Sequence, residues 1–393
     1  MGLERDLARG RALQRTTPVV EAAPETGPCE LAAAFLGAVY SPELALYPYS
    51  TRLDGDSYVS TFADARAKRY TINSLLGLRE AALSPEAPSV LAAVDDQIDA
   101  FRSRRGTPDN PGDRGLLLVL LAHRGDRDEI TRGVSDVAAC ADARLNVQEL
   151  AWMLWGASAA ARTGAASAEP LARSLAASLL TRHLDPRAAL ARHAQKGYRR
   201  GVVSFGSSVY FLRALYEYGS TFQHDRSLDL FDRGVQAMID IQGPLGEWPW
   251  LIDVASGAVV DPYPIFAVHQ DSMAMLFLHP ALDRDAPRAA EAIARSVAWM
   301  AGENEVATPM IRREPVVAYR SLERRDRAPR MRRYMRALRG PAKVKGWRHA
   351  VVRINRECRS YHLGWILYVW SSRAPVWSVD GVERRPDVAE AVG

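Results

Sequence analysis

Between residues 65 and 300 apolar residues recur every three to four positions, in blocks of three to five turns separated by Gly, Pro and Asp. That period lays one apolar stripe along a helix, so the region predicts a succession of helices with short connections. In NVQELAWMLWGASAAARTG, Asn146 and Glu149 have the spacing of a capping box, and Val147, Leu150, Ala151 and Leu154 make the stripe. Gly156 and Gly164 mark weakening and exit. A second helix is expected from Glu169 to His183, ending before Asp185-Pro186. A third carries Val209, Leu212 and Tyr216 with Gly219 as its stop. Leu228, Phe231, Val235 and Met238 share one face of a fourth. Pro287 opens a fifth, which aligns Ala289, Ile293 and Val297.

Alternation of period two is scarce. It appears in WPWLIDVASGAVVDPYPIF, where Ser256-Gly257 separates two β-prone runs and predicts a hairpin. Consecutive helices with short connections pack antiparallel. About ten to twelve of them, without strict sequence repeats, predict an all-α protein closed as an α/α toroid, with a small β-hairpin insertion. Residues 1–30 read as a flexible leader, 31–311 as the toroid, and 312–393 as a basic helical segment packed on it.

Charge changes the picture at that third part. Residues 312–359 hold 17 Lys/Arg against four Asp/Glu, a net +13 in a chain of +5, so a mildly acidic body carries a basic segment. Such a segment suits a phosphate, an acidic glycan or a membrane surface. No nucleic-acid-binding motif accompanies it, so nucleic acid is not expected as a partner. Cys29, Cys140 and Cys358 lie far apart and form no CxxC pair, which fits a reducing cytoplasm. No apolar run reaches the roughly 20 residues of a membrane span. P-loop, HExxH and GxSxG patterns are absent, and SFGSS at 204–208 reads as a helix cap.

One stretch, RGVQAMIDIQGPLGEWPW, has a spacing no helix core requires: Arg233-Gly234, Gln242, Gly246 and Trp248. This resembles the QW pattern of squalene/hopene-type and other class II terpenoid cyclases, with Ala237 where that family has an aromatic. Carbohydrate-active α/α toroids contain related turns. In either case the glutamine amide bonds backbone at a helix end, and the tryptophan covers the neighbouring helix.

The cyclase resemblance implies an isoprenoid substrate, hydrophobic or diphosphate-bearing, and carbocation cyclisation. VHQDSMAM follows the family's acid motif in outline, with Gln270 in the proton donor's place. Asp271 is then the acid, oriented by His269, and Trp248, Trp250, Tyr263, Phe266 and Trp299 line an aromatic cavity. In VDDQIDAF, Asp95, Asp96 and Asp99 spell DDxxD, a candidate Mg²⁺ site, with Arg332, Arg333 and Arg336 gripping a diphosphate.

The same residues support a second reading, a carbohydrate-active toroid. A glycoside hydrolase would draw a carboxyl pair from Glu247, Asp253, Asp261 and Asp271. A uronate lyase or epimerase would use His269 or Tyr263 as base, with arginines neutralising the substrate. A third reading is a non-catalytic scaffold, in which the basic segment and YHLGWILYVW dock on a membrane or partner helix through Leu363, Ile366, Leu367 and Trp370. The plainest alternative has Asp253 and Asp261 capping the hairpin and His269 in the core.

Overall fold

The computed structural model describes residues 12–23, 25–83, 93–141, 143–184, 188–325 and 351–373. Twelve α-helices lie among them. Six form an outer layer: α1 (Pro28–Val39), α3 (Val94–Arg105), α5 (Arg127–Ala138), α7 (Ala168–Arg182), α9 (Asp225–Asp240) and α11 (Ala289–Met300). Alternating with them in the chain are α2 (Asp64–Ala82), α4 (Pro111–Arg124), α6 (Val147–Arg162), α8 (Phe205–Phe222), α10 (Met275–Leu282) and α12 (Ser360–Trp370). These six pack side by side as an inner ring, α2 against α4, α4 against α6, and so on to α12, which returns to α2. The molecule is an α/α toroid with small β elements.

Composition decides which helix goes where. In α4, GLLLVLL is buried all round, as is almost all of α6 from Val147 to Ala160. A helix apolar on every side must be enclosed. The outer helices instead bury one stripe: Ile130, Val134 and Val137 in α5, and Leu230, Phe231, Val235 and Met238 in α9. Starts are capped where the sequence supplies a cap. Asn146 accepts from the backbone N–H groups of Gln148 and Glu149 while Glu149 reaches back to the Asn146 N–H, the expected box.

Glycine permits the ring to close. At the α2–α12 crossing a Cβ on Gly77 would stand 1.9 Å from the Gly364 carbonyl oxygen, so these backbones touch directly. Gly156 meets the Gly115 carbonyl of α4 in the same way. At Gly219, the expected stop, the space a Cβ would need is taken by the Leu228 side chain of α9, 2.7 Å away. Helix α8 runs on to Phe222, and Gln223 takes the left-handed cap.

Most inner-to-outer connections are short, as at Gly125-Asp126 and Gln223-His224. Strand β1 (Leu13–Pro18) precedes α1, and most outer-to-inner connections are long and carry the other strands: β2 (Ser50–Asp54) and β3 (Ser57–Phe62), β4 (Val202–Ser204), β5 (Leu251–Asp253) and β6 (Val259–Asp261), β7 (Ile265–Phe266), β8 (Ile311–Arg313), β9 (Val316–Ala318), β10 (Ser321–Arg324) and β11 (Val352–Asn355). All pairings are antiparallel, in the orders β1-β3-β2, β4-β5-β6, β11-β10-β7 and β8-β9. The predicted hairpin is β5–β6, turning at Gly257 with φ +68°.

Two expectations change. Within the leader, residues 13–18 form β1 against β3, and Val20 and Ala22 bond to the β8–β9 hairpin. The described parts of the basic segment are strands up to the start of α12, and α12 is an inner helix rather than a surface one. Leu363, Ile366, Leu367 and Trp370 are all buried, so they offer no face to a membrane or partner. Among the described residues no helix is long and apolar enough to cross a membrane. Arg332, Arg333 and Arg336 lie outside the described residues.

Candidate active site

The opening turns of the inner helices meet at one end of the ring. From α2, the Arg69 guanidinium lies 5.2 Å over the Trp152 ring of α6 and pairs with Asp113 of α4 at 2.5 Å. Trp152 meets Tyr210 of α8 at 4.9 Å. Gln148 of α6 accepts from Ser207 of α8 at 3.3 Å, and Ser207 also contacts His193 Nδ1 at 3.1 Å. Tyr70 of α2 lies 4.5 Å from Tyr361 of α12 and 5.5 Å from Tyr49. Five helices, α2, α4, α6, α8 and α12, thus bring their opening turns to one mouth, where their partial positive charges add to the arginines.

His269 stands at that mouth. It opens a π-helical turn, His269–Met273, that leads into α10. Its ring is 4.6 Å from Phe205 and 5.1 Å from Phe266, and lies parallel to Trp250 at 6.1 Å. Its Nδ1 is buried without a hydrogen-bond partner. Burial, then the neighbouring His362, pushes the imidazole down to about 3, so the ring is neutral at physiological pH. Gly206, part-exposed at the start of α8, packs against Met273 and His269, its Cβ position 3.2 Å from the Met273 methyl. A Cβ there would sit 3.9 Å from His269 Nε2.

Asp271 does not face His269. Two residues on, it points into the ring, fully buried, with both carboxylate oxygens 2.8 Å from His362 Nε2 of α12. Trp370 Nε1 donates to the Asp271 carbonyl at 2.6 Å. The pair ties the π-turn to the last helix.

A lattice of arginines links Tyr49 to His269. Glu357 accepts from Arg52 at 3.0 Å, Arg320 at 2.9 Å and Arg359 at 2.6 Å. Arg320 then lies 5.5 Å over Phe266, the ring against His269. Arg359 lies 3.8 Å over Tyr49, whose hydroxyl accepts from Arg66 at 2.5 Å.

The other expected site residues are placed elsewhere. Trp248 is buried between Phe205 and Phe277, and its Nε1 donates to Ser296 at 2.7 Å. Gln242 Nε2 donates to the Gly246 and Ala292 carbonyls at 2.9 and 3.0 Å, clasping α9 to α11. Trp299 is buried with its Nε1 on Glu305, and the Tyr263 hydroxyl reaches the same carboxylate. Asp253 caps the hairpin turn through Ser256, and Asp261 accepts from the Tyr263 N–H with Arg324 at 3.8 Å. Glu247 is folded onto its own loop, accepting from the Leu245 N–H. Burial, helped by Glu305, pushes its carboxyl up to about 7. Asp99 pairs with Arg124 at 2.5 Å, and Asp95 faces Arg79 and Arg124, so the DDxxD turn is an outer-wall ion-pair network. Among the described residues no group of three or more His, Cys, Asp or Glu could hold a metal ion.

Of the expected set, only His269, Trp250 and Phe266 come together at the mouth. Sequence reading missed Tyr49, Arg66, Arg69, Gln148, Arg320, Arg359, Tyr361 and His362. The one available signal was RSYH, a basic and aromatic run just before an apolar helix.

No family model and no curated protein matches the chain. Solved structures do. A cellobiose 2-epimerase from Bacillus thermoamylovorans B4167 superposes with TM-score 0.59 at 11% identity, over 86% of this chain and 95% of that one. An unsaturated glucuronyl hydrolase specific for heparin gives 0.56 at 12%, over 87% and 94%. An inactive variant of an α-1,6-mannanase from Salegentibacter sp. HEL1_6, in complex with α-1,6-mannotetrose, gives 0.55 at 10%, over 88% and 97%. The shared fold is the α/α toroid.

The likeness overturns the cyclase expectation. Proteins sharing this toroid over nearly their whole length are named for saccharides, not isoprenoids. The QW-like stretch is a clasp between two outer helices, a device any such ring can use. With it go the isoprenoid or diphosphate substrate and the aromatic cyclisation cavity, since Trp248 and Trp299 are packed into the wall.

Proposed function

We propose that the protein is a carbohydrate-active enzyme that removes a proton from a saccharide carbon beside a carbonyl or carboxylate, as an epimerase or a lyase does. The observation that carries this reading is His269: a neutral imidazole at the mouth, between part-exposed Trp250 and Phe266, with arginines beyond. Aromatic faces suit the C–H faces of a sugar ring. A neutral imidazole accepts the proton, and Arg320, part-exposed beside Phe266, stabilises the enolate that develops. Paired-carboxylate hydrolysis has less support. Asp253 and Asp261 cap turns, Asp271 is held by His362, and Glu247 lies on its own loop.

Solvent exchange tests epimerisation, and ultraviolet absorbance of a new C=C bond tests elimination. The protein is incubated in D₂O with reducing disaccharides and with uronate oligosaccharides, and deuterium in the recovered sugar is read by NMR. Deuterium incorporation at one carbon is expected, and His269→Gln should lower its rate about 10²–10⁴-fold with far-UV CD unchanged. Absence of both exchange and unsaturated product with every saccharide, or undiminished reaction in His269→Gln, would overturn it.

A further inference from the structure

We propose that Tyr49 is the second proton-transfer group of this site, donating its phenolic proton to the intermediate that His269 generates. The inference rests on the proton-abstraction reading and deepens it. Tyr49 sits in the connection between α1 and α2, just ahead of β2, and its side chain is part-exposed. Arg359, itself 4% exposed, covers one side of the ring at 3.8 Å and donates to the Tyr49 carbonyl at 2.9 Å, which fixes the residue's backbone. Arg66 donates to the hydroxyl at 2.5 Å, with its guanidinium 4.9 Å from the ring centroid. Tyr70 stacks at 5.5 Å.

A hydroxyl that accepts from an arginine cannot use that contact to dispose of its own hydrogen. The proton is left for another acceptor, and no bond from this hydroxyl to a protein acceptor is seen among the described residues. The charged and titratable groups facing Tyr49 are Arg66 and Tyr70 from α2, Arg359 ahead of α12, and Arg320, with Glu357 between the last two. Burial alone would raise the phenol, but Arg359, Arg66 and Arg320 outweigh it and hold the group below its ordinary value of 10. Three guanidiniums around one phenol favour the phenolate that donation leaves behind.

The step balances. The C–H proton passes to His269 and its electron pair enters the enolate. In epimerisation the Tyr49 O–H proton goes to the same carbon from the opposite face. In elimination the C–O bond to the leaving group breaks, and the proton goes to the departing oxygen. Tyr49 ends as phenolate beside Arg66 and Arg359, His269 as imidazolium, and one proton passing from His269 to Tyr49 through solvent restores both.

Two measurements on the full chain test this. In ultraviolet titration of tyrosinate, one of the 14 tyrosines should ionise below the rest; this should vanish in Tyr49→Phe and move up in Arg66→Gln. In D₂O, Tyr49→Phe should still wash deuterium into the substrate, because His269 is intact, while product formation falls about 100-fold or more. His269→Gln should lose both. Undiminished product formation in Tyr49→Phe overturns the assignment, as does loss of exchange with CD unchanged, or a Tyr49 that titrates with the other tyrosines. Absence of both exchange and product in the unsubstituted protein overturns the saccharide reading itself, a failure told apart by the wild-type control.

Discussion

Glu247 shows how much one residue's surroundings decide. The sequence puts an acid beside two tryptophans, which invites a catalytic role. Its side chain instead lies across Gly243, where a Cβ would come within 2.3 Å of its carboxyl carbon, and one oxygen has no partner. Its ordinary value near 4.5 rises to about 7 through burial. A raised acid favours the protonated native state, so its contribution is complete below pH 4.5 and is lost as pH climbs through 7. Glu247→Gln should therefore flatten stability between these limits and gain about 1–3 kcal/mol at pH 8 in urea melts. An unchanged profile would show that the carboxyl ionises freely. His269 lies further along the same connection, and its place after that long stretch between helices is what marked it as a candidate. Asp271 was not legible as a structural one, because its partner His362 lies 91 positions on.

Helices were the most legible elements, since a 3.6-residue period survives whatever the helix packs against. Asn146 and Glu149 cap α6 as their spacing implies, and the β5–β6 hairpin turns at Ser256-Gly257. Inner and outer placement was partly legible, in the unbroken apolar run of α4. Illegible were the short strands, whose three-residue runs carry too little alternation to register, and the direction of α12. YHLGWILYVW shows an amphipathic stripe by eye, yet every one of its last nine residues is buried. The decisive feature is Gly364, which reads as a weak point in a helix and works as a contact. Gly364→Ala would place its Cβ 2.6 Å from the Asn73 carbonyl oxygen. Overpacking of this kind costs at least about 1–3 kcal/mol, and here backbone must move. The variant should melt at a lower temperature by CD; an unchanged melt would mean the α2–α12 crossing is looser than described.

At the scale of the whole molecule, buried histidines set the acid limit. His193 is pushed down to about 4, and His269 and His279 to about 3, in each case chiefly by burial. Unfolding frees each to take a proton below its ordinary 6.5, so their contribution is full above pH 6.5 and is lost as pH falls. Near pH 5 Glu247 works the other way. Roughly two protons net should be taken up on unfolding there, from three histidines less one carboxyl. A denaturant midpoint that falls steadily from pH 6.5 to 5 fits this; a flat one contradicts neutral burial of the three imidazoles.

The ring's closure also bears on how the protein is made. Its first inner helix, α2, has its neighbour α12 almost 300 residues later, and Arg320, Arg359 and Tyr361 reach the mouth from that late stretch. During synthesis, the earlier hairpins can stack as each leaves the ribosome, but they form an open arc with an uncovered flank at α2. Until the chain beyond residue 370 has emerged, that flank must be shielded, and the mouth lacks the side chains that the late stretch brings to it. Stalled or clipped products would keep an open arc with its apolar flank uncovered, a species prone to aggregate.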